Sequence, residues 1–252
     1  MNHPIISGLK DKRILVTGAT GGIGSCLVRL FAEEGATLGI HYHQNQEHAE
    51  SLSREIKAGG GKAECFQEDL LSTDELRLVH DFIERFGGID VLINNAGGIR
   101  GFKEFLDLDK SSWDETHRLN AQAPFFLAQQ AFAYMKKQGG GKIINISSIA
   151  AKYGGSSKSL HYGAAKAALE AVTIGLARAG APYRILVNSV RGGFINTPMH
   201  QNLGRIRIEE RVEKIPLKRA GEPEDLGRMV LFLSSGGGDF ITGETFSVAG
   251  GD

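Results

Sequence analysis

The chain has 252 residues, which suits one α/β domain and is long enough to bury a core without disulfides or metals. Its 29 Lys and Arg residues balance 29 Asp and Glu residues, so no net field favours nucleic acid or an anionic membrane as a partner. The two cysteines, Cys26 and Cys65, fit no metal-ligand spacing, and we expect no metal and a reducing compartment. Because the sequence shows no signal-peptide core and no long uncharged apolar segment, we expect a cytoplasmic protein.

Short apolar runs alternate with segments of helical spacing along the chain. The runs at 14–16, 91–93, 143–146 and 185–187 are typical of strands buried on both faces of a parallel sheet. Between them, helical spacing is shown by Leu76, Val79, Ile83 and Phe86, and later by Leu226, Met229, Val230 and Leu233. This order predicts an α/β, doubly wound sheet with ligands at the carboxyl ends of its strands. No linker divides the chain, so we expect residues 1–252 to form a single domain.

A glycine-rich turn follows the first predicted strand. It reads Thr17-Gly18-Ala19-Thr20-Gly21-Gly22-Ile23-Gly24 and leads directly into a predicted helix. Glycines allow the backbone to approach a pyrophosphate, and the helix N-terminus offers free N–H groups to it. The segment therefore predicts dinucleotide binding, the alternative being a tight turn without a ligand.

The second and third strands bear on the choice of cofactor. No acidic residue that would bind an NAD ribose ends the second strand, at 36–42, and His41, His43, Gln44 and Asn45 can donate to a 2′-phosphate instead. NADP(H) is therefore favoured and NAD(H) is possible, although a plain polar loop would look the same. Asp69 ends the third predicted strand, at 65–69. It could accept from an adenine amino group or cap a helix starting near residues 72–74.

Tyr162 and Lys166 are four residues apart on a predicted helix, so their side chains share one face. The ammonium would stabilise a phenolate, which suits acid/base chemistry on an alcohol or carbonyl. A surface tyrosine beside a solvated lysine is the alternative.

The sequence Asn94-Asn95-Ala96-Gly97 after the run at 91–93 completes a set of motifs. Together with the glycine turn, a serine after the fifth strand and the Y-x-x-x-K pair, it makes the chain resemble the short-chain dehydrogenase/reductase family over essentially its whole length. The overall pattern is most similar to family members of the 3-oxoacyl-[acyl-carrier-protein] reductase type.

The resemblance implies a single Rossmann-type domain with a seven-stranded parallel sheet and assigns roles to matching residues. Tyr162 would exchange the proton, Ser148 would hydrogen-bond the substrate oxygen, Lys166 would hold the nicotinamide ribose, and Asn120 would hold a water linked to Lys166. Ser147 is an alternative to Ser148. The residues expected to contact the cofactor are Gly18, Thr20, Gly22, Ile23, Gly24, Tyr42, His43, Asp69, Leu70, Asn95, Ala96, Gly97, Tyr162, Lys166, Gly193, Ile195 and Thr197.

Two features depart from the family pattern. The loop between Ser148 and Tyr162 is one residue longer than in many relatives, and it contains a rival phenol at Tyr153 that lacks a lysine at the required spacing. Gly192 replaces the family's proline, which leaves the backbone near the nicotinamide less constrained. Arg191 beside it is expected to face substrate or phosphate, or to be solvated or ion-paired.

We expect the segment at about 198–215 to form a substrate lid, the alternative being a surface helix pair. Arg205, Arg207 and Arg211 could attract an acidic substrate group there, although Glu209, Glu210 and Glu213 balance them.

The sequence as a whole predicts an NAD(P)-dependent oxidoreductase that interconverts a carbonyl and a secondary alcohol, first of all a 3-oxoacyl-thioester-type reductase. A sugar, polyol or other small-alcohol dehydrogenase is the alternative within the family. A non-catalytic dinucleotide-binding sensor or scaffold is the alternative of another class. By resemblance we expect a homotetramer or homodimer.

Overall fold

The computed structural model of this chain describes residues 8–72, 76–199, 203 and 208–252. Within these ranges, seven strands form one parallel sheet in the order β3-β2-β1-β4-β5-β6-β7. The strand order reverses direction between β1 and β4, which is where doubly wound sheets bind ligands. The predicted fold class is confirmed.

The strands are β1 (Arg13–Val16), β2 (Thr37–Tyr42), β3 (Lys62–Gln67), β4 (Val91–Asn94), β5 (Gly141–Ser148), β6 (Ile185–Gly192) and β7 (Thr245–Val248). All four apolar runs identified in the sequence lie in strands of this sheet. Strands β2 and β4 are buried at every position, because helices cover both faces of the sheet.

The helices are α1 (Gly22–Glu33), α2 (Gln46–Ala58), α3 (Leu78–Phe86), α4 (Lys110–His117), α5 (Ala123–Gln138), α6 (Ala150–Tyr153), α7 (Leu160–Gly180), α8 (Ile208–Glu213) and α9 (Pro223–Ser234). A π-helical turn, Arg118–Gln122, joins α4 to α5. Short 3₁₀ turns occupy Phe105–Asp107, Ala181–Tyr183 and Gly236–Gly238. No helix among the described residues is long and apolar enough to cross a membrane.

The core has two parts, one on each side of the sheet. Helices α1, α2 and α9 cover one side with residues such as Phe31, Leu52 and Val230. Helices α3, α5 and α7 cover the other side, where Phe82 and Leu127 are fully buried. Local signals fix the ends of these helices. Helix α9, for example, begins with a proline and a reciprocal capping box, and α5 ends at a glycine in the left-handed region.

Two predicted boundaries differ from the structure. Strand β3 ends at Gln67 rather than Asp69, because its pairing with β2 stops where β2 ends at Tyr42. Of the region expected to start the next helix, residues 73–75 lie outside the described part. Helix α3 begins at Leu78, where the Glu68 carboxylate accepts hydrogen bonds from the N–H groups of Arg77 and Leu78, at 2.9 and 2.8 Å.

The predicted lid is described only in part. Residues 200–202 and 204–207, which include Arg205 and Arg207, lie outside the described ranges. The described portion contains α8, which carries Arg211. The lid therefore stays a prediction.

Candidate active site

A cavity of about 1640 Å³ runs along the carboxyl ends of the strands. Residues that follow β1, β2, β4, β5 and β6 line it, which is the position expected for the ligand site of a doubly wound sheet. The glycine turn, Tyr162 and Ser148 all line this one cavity.

The glycine turn has the close packing that a phosphate cradle requires. Gly18 has φ +61°, and a Cβ at that position would lie 2.8 Å from the Ala96 Cα. A Cβ on Gly24 would lie 2.7 Å from the Ala19 Cα. Helix α1 begins after Gly21 with no side chain capping its first N–H groups, so these donors remain for an anion. The turn therefore fits a dinucleotide pyrophosphate.

The Thr17 side chain ties the turn to the segment after β4. Its Oγ1 accepts hydrogen bonds from the backbone N–H groups of Asn95 and Ala96, both at 2.9 Å. In return, the Asn95 amide donates to the carbonyls of Thr17 and Gly18, at 2.8 and 3.1 Å. These bonds hold two walls of the cavity in a fixed relation.

His41, expected from the sequence as a donor to a 2′-phosphate, has both ring nitrogens engaged by the backbone. Its side chain is buried, its Nδ1 accepts from the Gly18 N–H at 2.9 Å, and its Nε2 lies 3.1 Å from the Glu68 carbonyl. These partners fix the neutral tautomer with the proton on Nε2. Burial lowers the pKa of His41 to about 4, so the imidazole is a neutral brace for the glycine turn.

Asp69 faces the cavity and does not cap α3. Its Oδ1 accepts from the Leu71 N–H at 2.9 Å, and its Oδ2 lies 3.7 Å from the His43 Nε2. The capping carboxylate is that of Glu68, as described above. Asp69, with Leu70 beside it, therefore has the position expected of an adenine contact.

Around the predicted adenosine contacts, three residues differ from the sequence-based expectation. Tyr42 packs in the core and does not line the cavity, because it occupies the last, buried position of β2. Arg29 of α1 and His48 of α2 line it instead, beside His43. The Arg29 guanidinium is held by Glu55, with N–O distances of 2.7 and 2.9 Å. Neither residue was found from the sequence, because the helix flank facing the cavity depends on packing.

Tyr162, Lys166 and Ser148 line the same cavity. Tyr162 and Lys166 occupy successive turns of α7, and the Lys166 Nζ lies 5.8 Å from the centroid of the Tyr162 ring. Ser148 is the last residue of β5, and its Oγ accepts from the Ala150 N–H at 3.2 Å. The Ser148 hydroxyl hydrogen can therefore still be donated to a ligand.

Lys166 is almost fully buried, with 3% of its surface exposed. Its Nζ donates to the Ile146 carbonyl at 2.8 Å. Burial lowers the pKa of Lys166 to about 8, and the negative charge of Glu170 opposes that shift. The ammonium is therefore the major form at neutral pH.

Asn120 lies in the π-helical turn and is completely buried. Its amide donates to the carbonyls of Gly98 and Thr116, at 2.7 and 2.8 Å, and its Oδ1 accepts from the Gly98 N–H at 3.1 Å. A Cβ built on Gly97 would lie 2.8 Å from the Asn120 Oδ1 and 3.2 Å from the Lys166 Nζ. Asn120 thus lies behind the cavity wall, next to Lys166.

The side chains of Ser147 and Arg191 are both engaged by Glu170. The Ser147 Oγ donates to Glu170 at 2.6 Å, and the Arg191 guanidinium binds the same carboxylate through two nitrogens. Arg191 is therefore the ion-paired residue that had been one alternative from the sequence. The structure favours Ser148 over Ser147 as the serine available to a ligand.

Gly192 is held in the sheet despite the absence of the family's proline. It pairs with Ser148 on one side and Val248 on the other, and its carbonyl accepts from the Ile149 N–H at 2.8 Å. Its φ is not positive, so the conformational freedom expected there is not used. Beyond it, Gly193, Ile195 and Thr197, which are predicted to contact the cofactor, line the cavity.

Most of the predicted residues come together at this one cavity. The predicted residues that line it are Gly18, Thr20, Gly22, Ile23, Gly24, His43, Asp69, Leu70, Asn95, Ala96, Gly97, Ser148, Tyr162, Lys166, Gly193, Ile195 and Thr197. Asn120 lies behind its wall, and Tyr42 lies in the core. Besides Arg29 and His48, Glu170 was not found from the sequence, although its spacing of four residues from Lys166 was visible there.

Comparisons with known proteins relate this chain to known oxidoreductases. A family model described as Enoyl-(Acyl carrier protein) reductase matches residues 18–252. A 3-oxoacyl-[acyl-carrier-protein] reductase from Thermotoga maritima is 35% identical over 96% of this chain and 98% of its own length. An L-rhamnose 1-dehydrogenase (NAD(P)(+)) from Azotobacter vinelandii is 39% identical over 96% of this chain and 97% of its own length.

A solved structure of a 7α-hydroxysteroid dehydrogenase, complexed with NADH and 7-oxo glycochenodeoxycholic acid, aligns with a TM-score of 0.92. It is 30% identical, and the alignment covers 100% of this chain and 98% of that one. The chain belongs to the short-chain dehydrogenase/reductase family. The predicted family and the predicted class, an NAD(P)-dependent oxidoreductase, are confirmed.

Proposed function

We propose that the protein reduces the ketone of a 3-oxoacyl-type substrate, or oxidises the matching secondary alcohol, at the Tyr162 end of the cavity. The observation that carries this proposal is that Tyr162, Ser148 and Lys166 line the same cavity as the glycine turn and the uncapped N-terminus of α1. A phosphate cradle and a proton donor on one continuous surface suit hydride transfer coupled to proton transfer.

Different residues would donate the proton and stabilise the developing negative charge. A bound nicotinamide dinucleotide would supply the hydride, which leaves negative charge on the substrate oxygen. Tyr162 would give that oxygen a proton, and Ser148 would donate a hydrogen bond to it as the charge develops.

Lys166 would make Tyr162 a better proton donor. At 5.8 Å from the ring centroid, the Lys166 ammonium favours the phenolate by about 3 kcal/mol at an effective dielectric of 20. Burial keeps this charge from being screened by water. Lys166 would also hold the nicotinamide ribose, with Asn120 behind it supporting the same wall of the cavity.

We propose that NADP(H) is preferred over NAD(H). Arg29, His43 and His48 line the adenosine end, and Asp69 is the one carboxylate among the described lining residues. A 2′-phosphate would find cationic or neutral donors there, and Arg29 is already oriented by Glu55.

Cofactor affinities would test this preference directly. We expect Arg29→Gln to weaken NADPH binding about tenfold or more while changing NADH binding little, since a charged hydrogen bond to phosphate contributes roughly 1.5–3 kcal/mol. Arg54→Gln is the control, because Arg54 is exposed on α2 and does not line the cavity. Equal weakening of both cofactors by Arg29→Gln would contradict the assignment.

Basic residues that line the cavity favour a substrate with an acidic group, such as the phosphate of a thioester carrier. Arg100, Lys158 and Arg211 line the cavity, while their respective carboxylate partners, Glu115, Glu104 and Asp252, do not. The Arg100 backbone is fixed by His161, whose Nε2 lies 2.7 Å from the Arg100 carbonyl. The Thermotoga maritima relative, named for a 3-oxoacyl substrate, supports the same class.

Sugar oxidation is the second candidate. The Azotobacter vinelandii relative, named for L-rhamnose, is 39% identical to this chain. Ser156 and Ser159 also line the substrate end and could bind sugar hydroxyls.

A paired NADPH and NADH assay across 3-oxoacyl thioesters, sugars and small cyclic ketones would separate these candidates. We expect Tyr162→Phe to lower kcat on any accepted substrate by about 10²- to 10⁴-fold. Tyr134→Phe, on the exposed side of α5, is the control, and Tyr153→Phe tests the rival phenol. Near-full turnover by Tyr162→Phe would refute the mechanism. NADPH binding without turnover of any compound would favour the sensor alternative.

We also propose a homo-oligomer in the cytoplasm. Phe126 on α5 and Ile174 on α7 are large apolar side chains that are 41% and 49% exposed, as a subunit interface would leave them in one chain. Cys26 and Cys65 are both free, which suits a reducing compartment. Light scattering of the wild type and of Ile174→Glu would test the interface. An unchanged molar mass in the variant would count against α7 as part of it.

A further inference from the structure

An ion pair lies behind the catalytic helix, on the side of Lys166 away from Tyr162. Glu170 of α7 and Arg191 of β6 are joined by two hydrogen bonds, Nε to Oε1 at 3.0 Å and Nη2 to Oε2 at 2.6 Å. Their side chains are only 15% and 17% exposed. Ser147 donates to Glu170 at 2.6 Å, and Arg191 donates to the Ser247 Oγ at 3.1 Å. The pair thus connects β5, α7, β6 and β7.

The pair is built into the elements that carry the reacting groups. Tyr162, Lys166 and Glu170 follow one another at intervals of four residues, on one face of α7. In the sheet, Arg191 is paired with Ser147, one residue before the pairing of Gly192 with Ser148. A change in the charge of Glu170 or Arg191 therefore changes the electrostatic potential at Lys166.

Lys166 has few charged neighbours in the described structure. Tyr162 and Glu170 lie on its own helix, and Arg191 faces Glu170 from β6. The neighbouring side chains from the π-helical turn and β5, those of Asn120, Ser147 and Ser148, are neutral. On α6, Lys152 donates a hydrogen bond to the Tyr153 hydroxyl. A negative charge on Tyr153 would raise the pKa of Arg191 and of Arg211 rather than act on Lys166. Among the described groups, Glu170 is the carboxylate whose charge acts on Lys166.

We propose that Glu170 and Arg191 are positioning residues that set the charge state of the Lys166–Tyr162 pair. Glu170 keeps the buried Lys166 protonated, and Arg191 limits the strength of that effect by neutralising most of the Glu170 charge. The proposal rests on the proposed function of Lys166 and Tyr162. A purely structural role would not require charge, because replacing a buried ion pair by apolar residues of similar volume is often neutral for stability.

Glu170→Gln and Arg191→Met should have opposite effects on titration, and each should shift Tyr162 and Lys166 in the same direction. Glu170→Gln removes a negative charge and leaves Arg191 unpaired, so both groups should lose their protons at lower pH. Arg191→Met leaves Glu170 unpaired, so both should hold their protons to higher pH. We expect shifts on the order of one pH unit in each direction, and a double variant close to the wild type.

Two measurements would record these shifts. The first is the pH dependence of kcat/KM on an accepted substrate. The second is the ultraviolet absorbance of the Tyr162 phenolate, taken as the difference from a Tyr162→Phe background, which needs no substrate. If the phenolate titration shifts as expected while no compound is turned over, the charge coupling between the ion pair and Tyr162 holds, but the proposed function fails and with it the role of the pair in catalysis.

Controls separate charge from packing. Arg191→Lys loses the paired hydrogen bonds but keeps the charge, so its titration should stay near that of the wild type while Arg191→Met shifts. If Glu170→Gln does not fold, the comparison of Arg191→Lys with Arg191→Met still tests the proposal. Glu64→Gln and Arg85→Met break an exposed ion pair elsewhere and should shift nothing. Identical titrations in Arg191→Lys and Arg191→Met, or shifts of one sign in both Glu170→Gln and Arg191→Met, would overturn the proposal.

Discussion

Acid should destabilise this protein through His41. In the folded chain, the His41 Nδ1 accepts from the Gly18 N–H and the Nε2 faces the Glu68 carbonyl. A second proton on the ring would point at the Gly18 N–H. Burial, the largest cause, lowers the pKa of His41 from 6.5 to about 4 in the folded state.

The linkage between folding and protonation of His41 gives the direction and magnitude of the change in stability with pH. Because the pKa of His41 is lower in the folded than in the unfolded state, the unfolded chain binds more protons at intermediate pH. The contribution to stability is fully present above about pH 6.5 and is lost as the pH falls toward about 4. A difference of about 2.5 pKa units corresponds to about 3 kcal/mol in total, of which about 2 kcal/mol is lost by about pH 5.

Urea unfolding of the wild type and of His41→Gln, at about pH 7.5 and about pH 5, would measure this term. Glutamine can accept from Gly18 and donate to Glu68, but it does not titrate. We expect the wild type to lose about 2 kcal/mol more than the variant between the two pH values. His80→Gln, on the exposed surface of α3, should behave like the wild type. An equal loss in the wild type and His41→Gln would refute the reasoning.

Four other substitutions, one of them a control away from the site, and one labelling experiment give further tests. Thr17→Val should lower the free energy of unfolding by roughly 2–4 kcal/mol and weaken NADPH binding, because two N–H groups, at residues 95 and 96, lose their acceptor. Thr17→Ser keeps the hydroxyl, so it should retain most of the stability and of the NADPH affinity in the same urea and fluorescence assays. Gly24→Ala should abolish cofactor binding measured by NADPH fluorescence, since its Cβ would meet backbone atoms. The control Gly175→Ala, at an exposed helix position with nothing within 4 Å, should raise stability by about 0.5–1 kcal/mol. Cys26, whose pKa burial raises to about 12, should resist alkylation until the protein unfolds, as mass spectrometry would show.

The sheet and the reacting residues were predictable because their signals are local. Continuous apolar runs marked four strands, and Tyr162 and Lys166 could be placed on one helix face from spacing alone. The glycine turn also needed only its strand and helix neighbours to be recognised. Each of these patterns is decided by residues close together in the chain.

What the sequence could not show depends on where a strand ends or which helix flank turns inward. His41 and His43 look alike in the sequence, but β2 ends at Tyr42, so His41 is buried and His43 is not. Glu68 and Asp69 are adjacent carboxylates, and only the end of β3 decides which one caps α3. Arg29 reaches the cavity through the packing of α1 against α2, a contact that no local pattern shows.

The π-helical turn at Arg118–Gln122 has a consequence for how this chain can change over evolutionary time. Such a turn contains one residue more than an α-helical path between the same two ends, and deleting that residue would rotate everything on one side of it by about 100°. Asn120 would then leave Gly98, or α5 would turn its apolar face out of the core. Homologous chains should therefore vary in length at exposed loops, such as the one between α6 and α7, and keep a constant residue count through this turn.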